Sequence, residues 1–316
     1  MTNDEALAAQ VVDAMNEVSG RHAGFRAAHA KGTLCAATFT ASADARELTR
    51  AAHMQGAPVR AHVRFSNGGG NPTSSDLAPE GRGMATKLYL DDGTTTDVVA
   101  VTLPVFLVRT PEDFLELMRA RKPDPETGQP DIEKIGAFLA AHPETVPPVQ
   151  AALSAPPPAS YLRCTYNALH AFRFVNAAGE ESFVRYTWEP EEGEATLSAD
   201  EAAERGPDYL REELAERLEQ APAAFTLSVA VAEDDDLLDD PTAAWPAERR
   251  RVVLGRLELT GLAFDREHDG DVLVFDPTRV TDGIECSADP VLRFRSAAYA
   301  ESVLRRSGVR RAPAAV

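Results

Sequence analysis

Cysteine is scarce in this chain, and the three present, Cys35, Cys164 and Cys286, lie far apart with no CxxC pair among them. That spacing and the odd number argue against a disulfide framework and against a zinc site, so the chemistry must come from other side chains. Positive charge is also in deficit, with 32 Lys and Arg against 50 Asp and Glu, for a formal net charge of -18. Such a surface repels nucleic-acid phosphates and anionic lipid headgroups, and neither nucleic acid nor a membrane is an expected partner. A buried anionic ligand would need a local arginine cluster, which should stand out in so acidic a chain. Long apolar runs are missing too. The opening MTNDEALAAQVVDAMNEV has acidic residues early and no basic or apolar leader segment, so a reducing, cytoplasmic setting is expected. No internal repeat is visible.

What is present is an ordinary globular composition, 44% hydrophobic, with enough apolar surface to build a core and hold a ligand. The expectation is one domain over residues 1–316, with a helical arm at 1–20 and a flexible tail at 307–316. Asn3 or Asp4 is placed to cap an opening helix that reaches about Glu17 and packs as an arm. Eight strand candidates follow: Thr33–Thr40, Pro58–Ser66, Met84–Leu90, Asp97–Val108, Leu169–Asn176, Ser182–Trp188, Ala224–Val231 and Arg251–Leu262. They are rich in Val, Phe, Leu and Thr, with Asp92-Gly93 and Ala178-Gly179 as hairpin corners. Eight strands suffice to close a barrel. Helical segments are expected at Glu112–Arg121, Asp131–Ala141, Asp200–Gln220 and Phe294–Arg306. The Pro-rich run from His142 to Pro158 reads as a loop or wrap, and the acidic patch Glu233–Asp240 as a solvated loop.

Among the seven histidines, His29 alone sits in a compact polar knot, Arg26-Ala-Ala-His29-Ala-Lys31-Gly32, just ahead of the first strand. A rigid sheet often presents catalytic groups on such a loop, although a satisfied histidine at a strand entrance looks the same in sequence. His53, His62, His142, His170 and His268 lack that company and read as structural or surface residues. On the second strand, Val59, Ala61, Val63 and Phe65 alternate with Arg60, His62, Arg64 and Ser66. The polar face either meets water or lines a cavity; in a barrel interior, Arg64 and Ser66 would suit an anionic, hydrogen-bonding ligand. The Asn67-Gly-Gly-Gly-Asn71 run is not followed by a helix start or a GKS/T pattern, so it reads as a turn and not as a phosphate cradle. Near the end, Arg295, Tyr299, Ser302 and Arg306 fall on one helical face. A solvated face is one reading of that stripe. The other is chemical: a tyrosine, with a reference pKa near ~10, is kept as phenolate by an adjacent guanidinium and a ferric ion, and tyrosinate is among the few protein ligands of haem iron.

Taken together, these blocks resemble the haem catalase family, and more closely its short branch, the catalase-related peroxidases. RAAHAKG at Arg26–Gly32 is similar to the distal-histidine motif, VRFSNGGG at Val63–Gly70 to the strand bearing the distal serine, and GRGMATKLY at Gly81–Tyr89 to the RGxAxKxY block. The likeness runs on through LPVFLVRTPEDF at Leu103–Phe114, DDPTAAWP at Asp239–Pro246 and FDPTRVTDGIECSADPVL at Phe275–Leu292. It closes on Arg295-Ser-Ala-Ala-Tyr299, similar to the R-x-x-x-Y of the proximal ligand. The resemblance implies an α+β fold: an antiparallel eight-stranded β-barrel with flanking helices around haem b (iron protoporphyrin IX). It implies His29 as the distal acid–base group, oriented by Ser66, and Tyr299 as the axial ligand, its charge sustained by Arg295. Arg26, Arg64 and Arg306 would neutralise the haem propionates, and Phe114 would pack on the distal side.

Two departures shape the functional expectation. Catalases carry an asparagine between the strand Asp and the Pro of PVF, but here the stretch reads Asp97-Val-Val-Ala-Val101-Thr-Leu-Pro104, which puts Val101 at the amide position with Thr102 as the nearest polar substitute. Loss of one positioned donor is worth about 2.7–4 kcal/mol by analogy with deleted oxyanion donors, and the catalatic half-reaction should suffer first. The chain also shows no long threading arm, C-terminal wrap or flavodoxin-like domain, so wider access to the haem is expected. The expected activity is reduction of hydrogen peroxide and organic hydroperoxides with a small organic electron donor, with weak catalase activity, from a possible homodimer. Isomerisation or cleavage of fatty-acid hydroperoxides, and haem binding without turnover, are the alternatives.

Overall fold

The computed structural model describes residues 2–264 and 272–308. The chain opens with α1 (Asn3–Ser19), capped by Thr2 in a reciprocal box with Glu5 and not by Asn3 or Asp4; the Thr2 hydroxyl and the Glu5 carboxylate satisfy two otherwise orphaned amides. Strands β1 (Gly32–Ala41), β2 (Val59–Asn67), β3 (Arg82–Tyr89) and β4 (Thr95–Val101) follow, with the short helix α2 (Ala45–Leu48) between the first two. Next come α3 (Pro111–Ala120), α4 (Ile132–Ala141) and α5 (Val146–Ser154). The second half holds β5 (Tyr166–Asn167), β6 (Phe172–Val175), β7 (Glu181–Pro190), α6 (Ala199–Ala203), α7 (Tyr209–Gln220), β8 (Ala223–Val231), β9 (Arg251–Leu262), β10 (Ile284–Cys286) and α8 (Pro290–Arg306).

Every recorded strand pairing is antiparallel. The ring runs β1-β2-β3-β4-β5-β7-β8-β9 and closes from β9 back to β1, giving the expected eight-stranded barrel, with β6 and β10 added beside β7. Its interior is filled by Phe39, Val63, Phe65, Met84, Tyr166, Trp188, Phe225 and Leu257. Phe65 stacks on Tyr161 and Phe39 meets Trp188 edge-on; each ring so buried contributes roughly 1.5–3 kcal/mol. The polar row of β2 therefore lines the outside of the barrel wall and not its interior. A second layer covers one end of that row: Arg60 is exposed, while Arg64 and Ser66 are buried.

Helices α1, α3 and α8 pack together around Ala8, Val11, Leu115, Met118 and Phe294. The Pro-rich stretch is not all loop, because α5 accommodates its prolines in the first turn, where no intrahelical amide is needed. The Asp200–Gln220 helix is two, α6 and α7, interrupted around Gly206-Pro207. The strand placed at Asp97–Val108 ends at Val101, and the Leu169–Asn176 strand starts only at Phe172. The acidic patch is a loop, but Arg249 gathers Glu233, Asp235 and Asp236. His268 and the tail beyond Gly308 lie outside the described residues.

Candidate active site

Strand register brings the amino-terminal candidates together. Gly32 of β1 pairs with Ser66 of β2, which draws the residues just before β1 alongside the end of β2, and His29 Nδ1 lies 3.0 Å from Ser66 Oγ. Gly83 of β3, opposite Ser66, forms the floor. A Cβ there would lie 2.8 Å from both His29 Nδ1 and Ser66 Oγ, so only glycine leaves room for the pair. His29 has φ +53°, the only positive value at a non-glycine among the described residues. Such backbone strain costs about 1–3 kcal/mol and persists only where the surroundings hold it. They do: His29 N donates to Gly68 O, Ala30 N to Gly69 O, and Arg64 to the carbonyls of His29 and Ala30. The glycine run thus cradles a backbone, as a turn can.

Burial, followed by the positive charges of Arg64, Arg295 and Arg26, pushes His29 from its ordinary 6.5 down to about 3. The imidazole is therefore neutral at pH 7. The same influence places Arg295, from α8 at the other end of the chain, within electrostatic reach of His29.

Arg295 and Tyr299 share a face of α8. Tyr299 Oη accepts from Arg295 Nε at 2.9 Å and from Nη2 at 2.5 Å. The third guanidinium nitrogen, Nη1, donates to His170 Nε2 at 3.0 Å. That nitrogen is therefore an acceptor, so the ring proton sits on Nδ1 and is given to Asp289 Oδ2 at 2.6 Å. Burial holds His170 below its usual pKa against the opposing pull of Asp289, consistent with a neutral ring. Asp289 also caps α8 through Oδ1, which accepts from Val291 N and Leu292 N. One carboxylate thus starts the helix and, through His170, fixes the arginine that grips the tyrosine. From sequence His170 reads as a structural or surface residue, and no motif marks Asp289 as part of a site. The cap was legible as Asp289-Pro290, but nothing local ties residue 170 to residue 289.

The remaining arginines converge on one carbonyl. Arg26 and Arg306 both donate to Leu273 O, at 2.8 and 3.4 Å, and the Phe275 ring lies beneath Arg26. The Leu273–Arg279 strap is tied to the barrel by Asp97, which accepts from Arg279, Asp276 N and Lys87. Phe114 stacks on Phe106, whose ring lies against His170. Val101 pairs directly with Gly83 and so shares its face of the sheet beside His29. The Thr102 hydroxyl accepts from Arg82 N at 3.0 Å.

A phenol oxygen gripped by a guanidinium, three further arginines and a neutral imidazole form a coherent donor set for an anionic macrocycle with a central metal. No cluster of three His, Cys, Asp or Glu suited to a metal occurs among the described residues. The catalase family model matches residues 8–313, and the chain belongs to the catalase family, a membership that implies haem. It is 45% identical to a catalase-related peroxidase of Mycolicibacterium paratuberculosis over 96% of this chain and 95% of that protein. It is 35% identical to a catalase-related peroxidase of Synechococcus elongatus, over 94% of this chain and 88% of that one. Among solved structures, a fungal catalase superposes with a TM-score of 0.82 at 26% identity, covering 92% of this chain and 60% of that chain. Catalase A of Saccharomyces cerevisiae gives 0.79 at 25% identity, covering 90% and 62%. The chain thus spans about three fifths of each of those two solved catalases.

Proposed function

We propose that this protein is a haem b peroxidase that reduces hydrogen peroxide and organic hydroperoxides at the expense of a small organic electron donor, with weak catalase activity. The observation that carries the reading is the neutral His29 imidazole, held against Ser66 within electrostatic reach of the Arg295 that grips Tyr299. Tyr299 Oη would be the iron ligand, with Arg295 sustaining its negative charge, and Arg26, Arg64 and Arg306 would neutralise the two propionates. Haem, when bound, supplies the iron and the electrons that break the peroxide bond. Ser66 engages His29 at Nδ1, leaving Nε2 to take the proton from one peroxide oxygen and return it to the other as that oxygen leaves. The barrel and its helices act as one domain, with a homodimer as the expected assembly. The free thiols Cys35, Cys164 and Cys286 suit a reducing cytoplasmic setting. No helix among the described residues is long and apolar enough to cross a membrane.

The apolar Val101 beside Gly83 favours donor oxidation over catalatic turnover, because a second hydrogen peroxide lacks the amide that would orient it. The test is to measure donor oxidation and oxygen evolution side by side on one holoprotein preparation, with hydrogen peroxide and then with an organic hydroperoxide. Donor oxidation should dominate with both; oxygen evolution as fast as that of full-length catalases would contradict the proposal.

A further inference from the structure

We infer that Asp76 is a positioning residue for the His29–Ser66 pair, a role that rests on reading His29 as the proton-handling group. His29 and Ser66 come from different chain segments, and both segments lead within two residues to the same buried carboxylate. From His29 the chain runs to Lys31, whose Nζ lies 2.7 Å from Asp76 Oδ1. From Ser66 it runs to Asn67, whose Nδ2 donates to the same oxygen at 2.8 Å. The segments are also joined directly, since Asn67 N donates to Lys31 O at 3.0 Å. The other carboxylate oxygen, Oδ2, accepts from Leu210 N in α7 at 2.9 Å. Asp76 is fully buried, its backbone amide donates to Pro207 O, and its own carbonyl accepts from Arg82.

The chemistry of this junction requires a carboxylate. Three donors converge on one side chain, and an ionised Asp offers acceptors alone. An amide of the same shape would turn an N–H toward Lys31, Asn67 or Leu210 N. Lys31 is held as firmly, with Ser74 O, Pro207 O and Asp208 as further acceptors, and Asn67 Oδ1 accepts from the buried Tyr161 hydroxyl at 2.6 Å. A displaced Asp76 therefore cannot be absorbed by a loose neighbour; the displacement passes to Lys31 and Asn67. From there it reaches the left-handed backbone of His29 and the Ser66 hydroxyl, and the Nδ1 to Oγ contact opens. Groups that orient a functional side chain in this indirect way commonly carry about 10- to 100-fold in affinity or activity.

The experiment uses haem-loaded protein and four variants: Asp76→Asn, Asn67→Ala, His29→Ala and, in the same loop, Thr73→Val as a control. Two readouts accompany the rate of peroxide cleavage per bound haem. Cyanide affinity reports the distal base, because hydrogen cyanide must hand over its proton on binding; nitric oxide affinity reports the haem alone. Asn67→Ala, which keeps the Lys31–Asp76 ion pair and so protects the fold, should lose about tenfold or more in both cleavage rate and cyanide affinity, with nitric oxide affinity unchanged. Asp76→Asn should do the same or more, and Thr73→Val nothing. If Asn67→Ala keeps wild-type cleavage and cyanide affinity while His29→Ala has lost both, the positioning role is wrong and the reading of His29 stands. If His29→Ala itself cleaves peroxide normally, the functional reading fails and the Asp76 role falls with it.

Discussion

The tyrosine side of the site and the histidine side are built by opposite means. Tyr299 and Arg295 sit one turn apart on a long helix, and their geometry follows from helical spacing, secured by the Asp289 cap and the His170 link. His29 and Ser66 are 37 residues apart, at the ends of neighbouring strands, and meet only through strand register, a glycine floor and a backbone held at φ +53°. The first arrangement is unstrained and tolerates small shifts. The second stores strain and depends on every contact around it, as expected where a side chain must be aimed at a reacting atom. Changes on the tyrosine side should therefore act on retention of the cofactor, and changes on the histidine side on the chemical step.

The largest effect should come from His29→Ala, which removes the acid–base group: peroxide cleavage per bound haem should fall about 10²- to 10⁴-fold with haem content unchanged. Haem loss in this variant would break the division of labour between the two sides. His170→Leu should act the other way. With Arg295 no longer held by an acceptor at Nη1, transfer of haem to an excess of a scavenging apoprotein should quicken by about 10- to 100-fold, while cleavage by the haem still bound changes little. Ser66→Ala removes the hydrogen bond that aims His29 and should slow cleavage at least as much as the indirect changes, about tenfold or more. The smallest expected effect is none. Since His29 is pushed down to about 3, its neutral form is essentially complete from about pH 5 upward, and the cleavage rate should stay level from about pH 8 to pH 5. A rate limb near pH 6.5 that disappears in His29→Ala would show that the imidazole is not held neutral.

Acid should threaten the fold before it titrates the site. His53 is pushed down to about 4 by burial in the apolar core. A histidine whose folded pKa lies below its unfolded value of about 6.5 withdraws stability as pH falls through that range, because the unfolded chain binds the proton first.

Much of this was legible before folding. The alternation Val59 to Ser66 gave β2 its two faces, and the four-residue spacing of Arg295 and Tyr299 put them on one side of α8. Whether the polar face of β2 met water or lined a cavity stayed open, because alternation distinguishes two faces without saying which one is enclosed. His170 was hidden for a related reason: it sits where the expected strand is broken between β5 and β6, and its partners are more than a hundred residues away. Arginines 26 and 306 were individually visible as cations, but their meeting at the Leu273 carbonyl depends on a strap whose path is set by Asp97.

The most direct measurement is the absorption spectrum of the purified protein reconstituted with haem, beside that of Tyr299→Phe. The account predicts stoichiometric uptake and a high-spin ferric spectrum with phenolate ligation in the parent, and a shifted Soret band or loss of haem in the variant. A parent chain that takes up no haem, or a variant whose Soret band matches that of the parent, would contradict it.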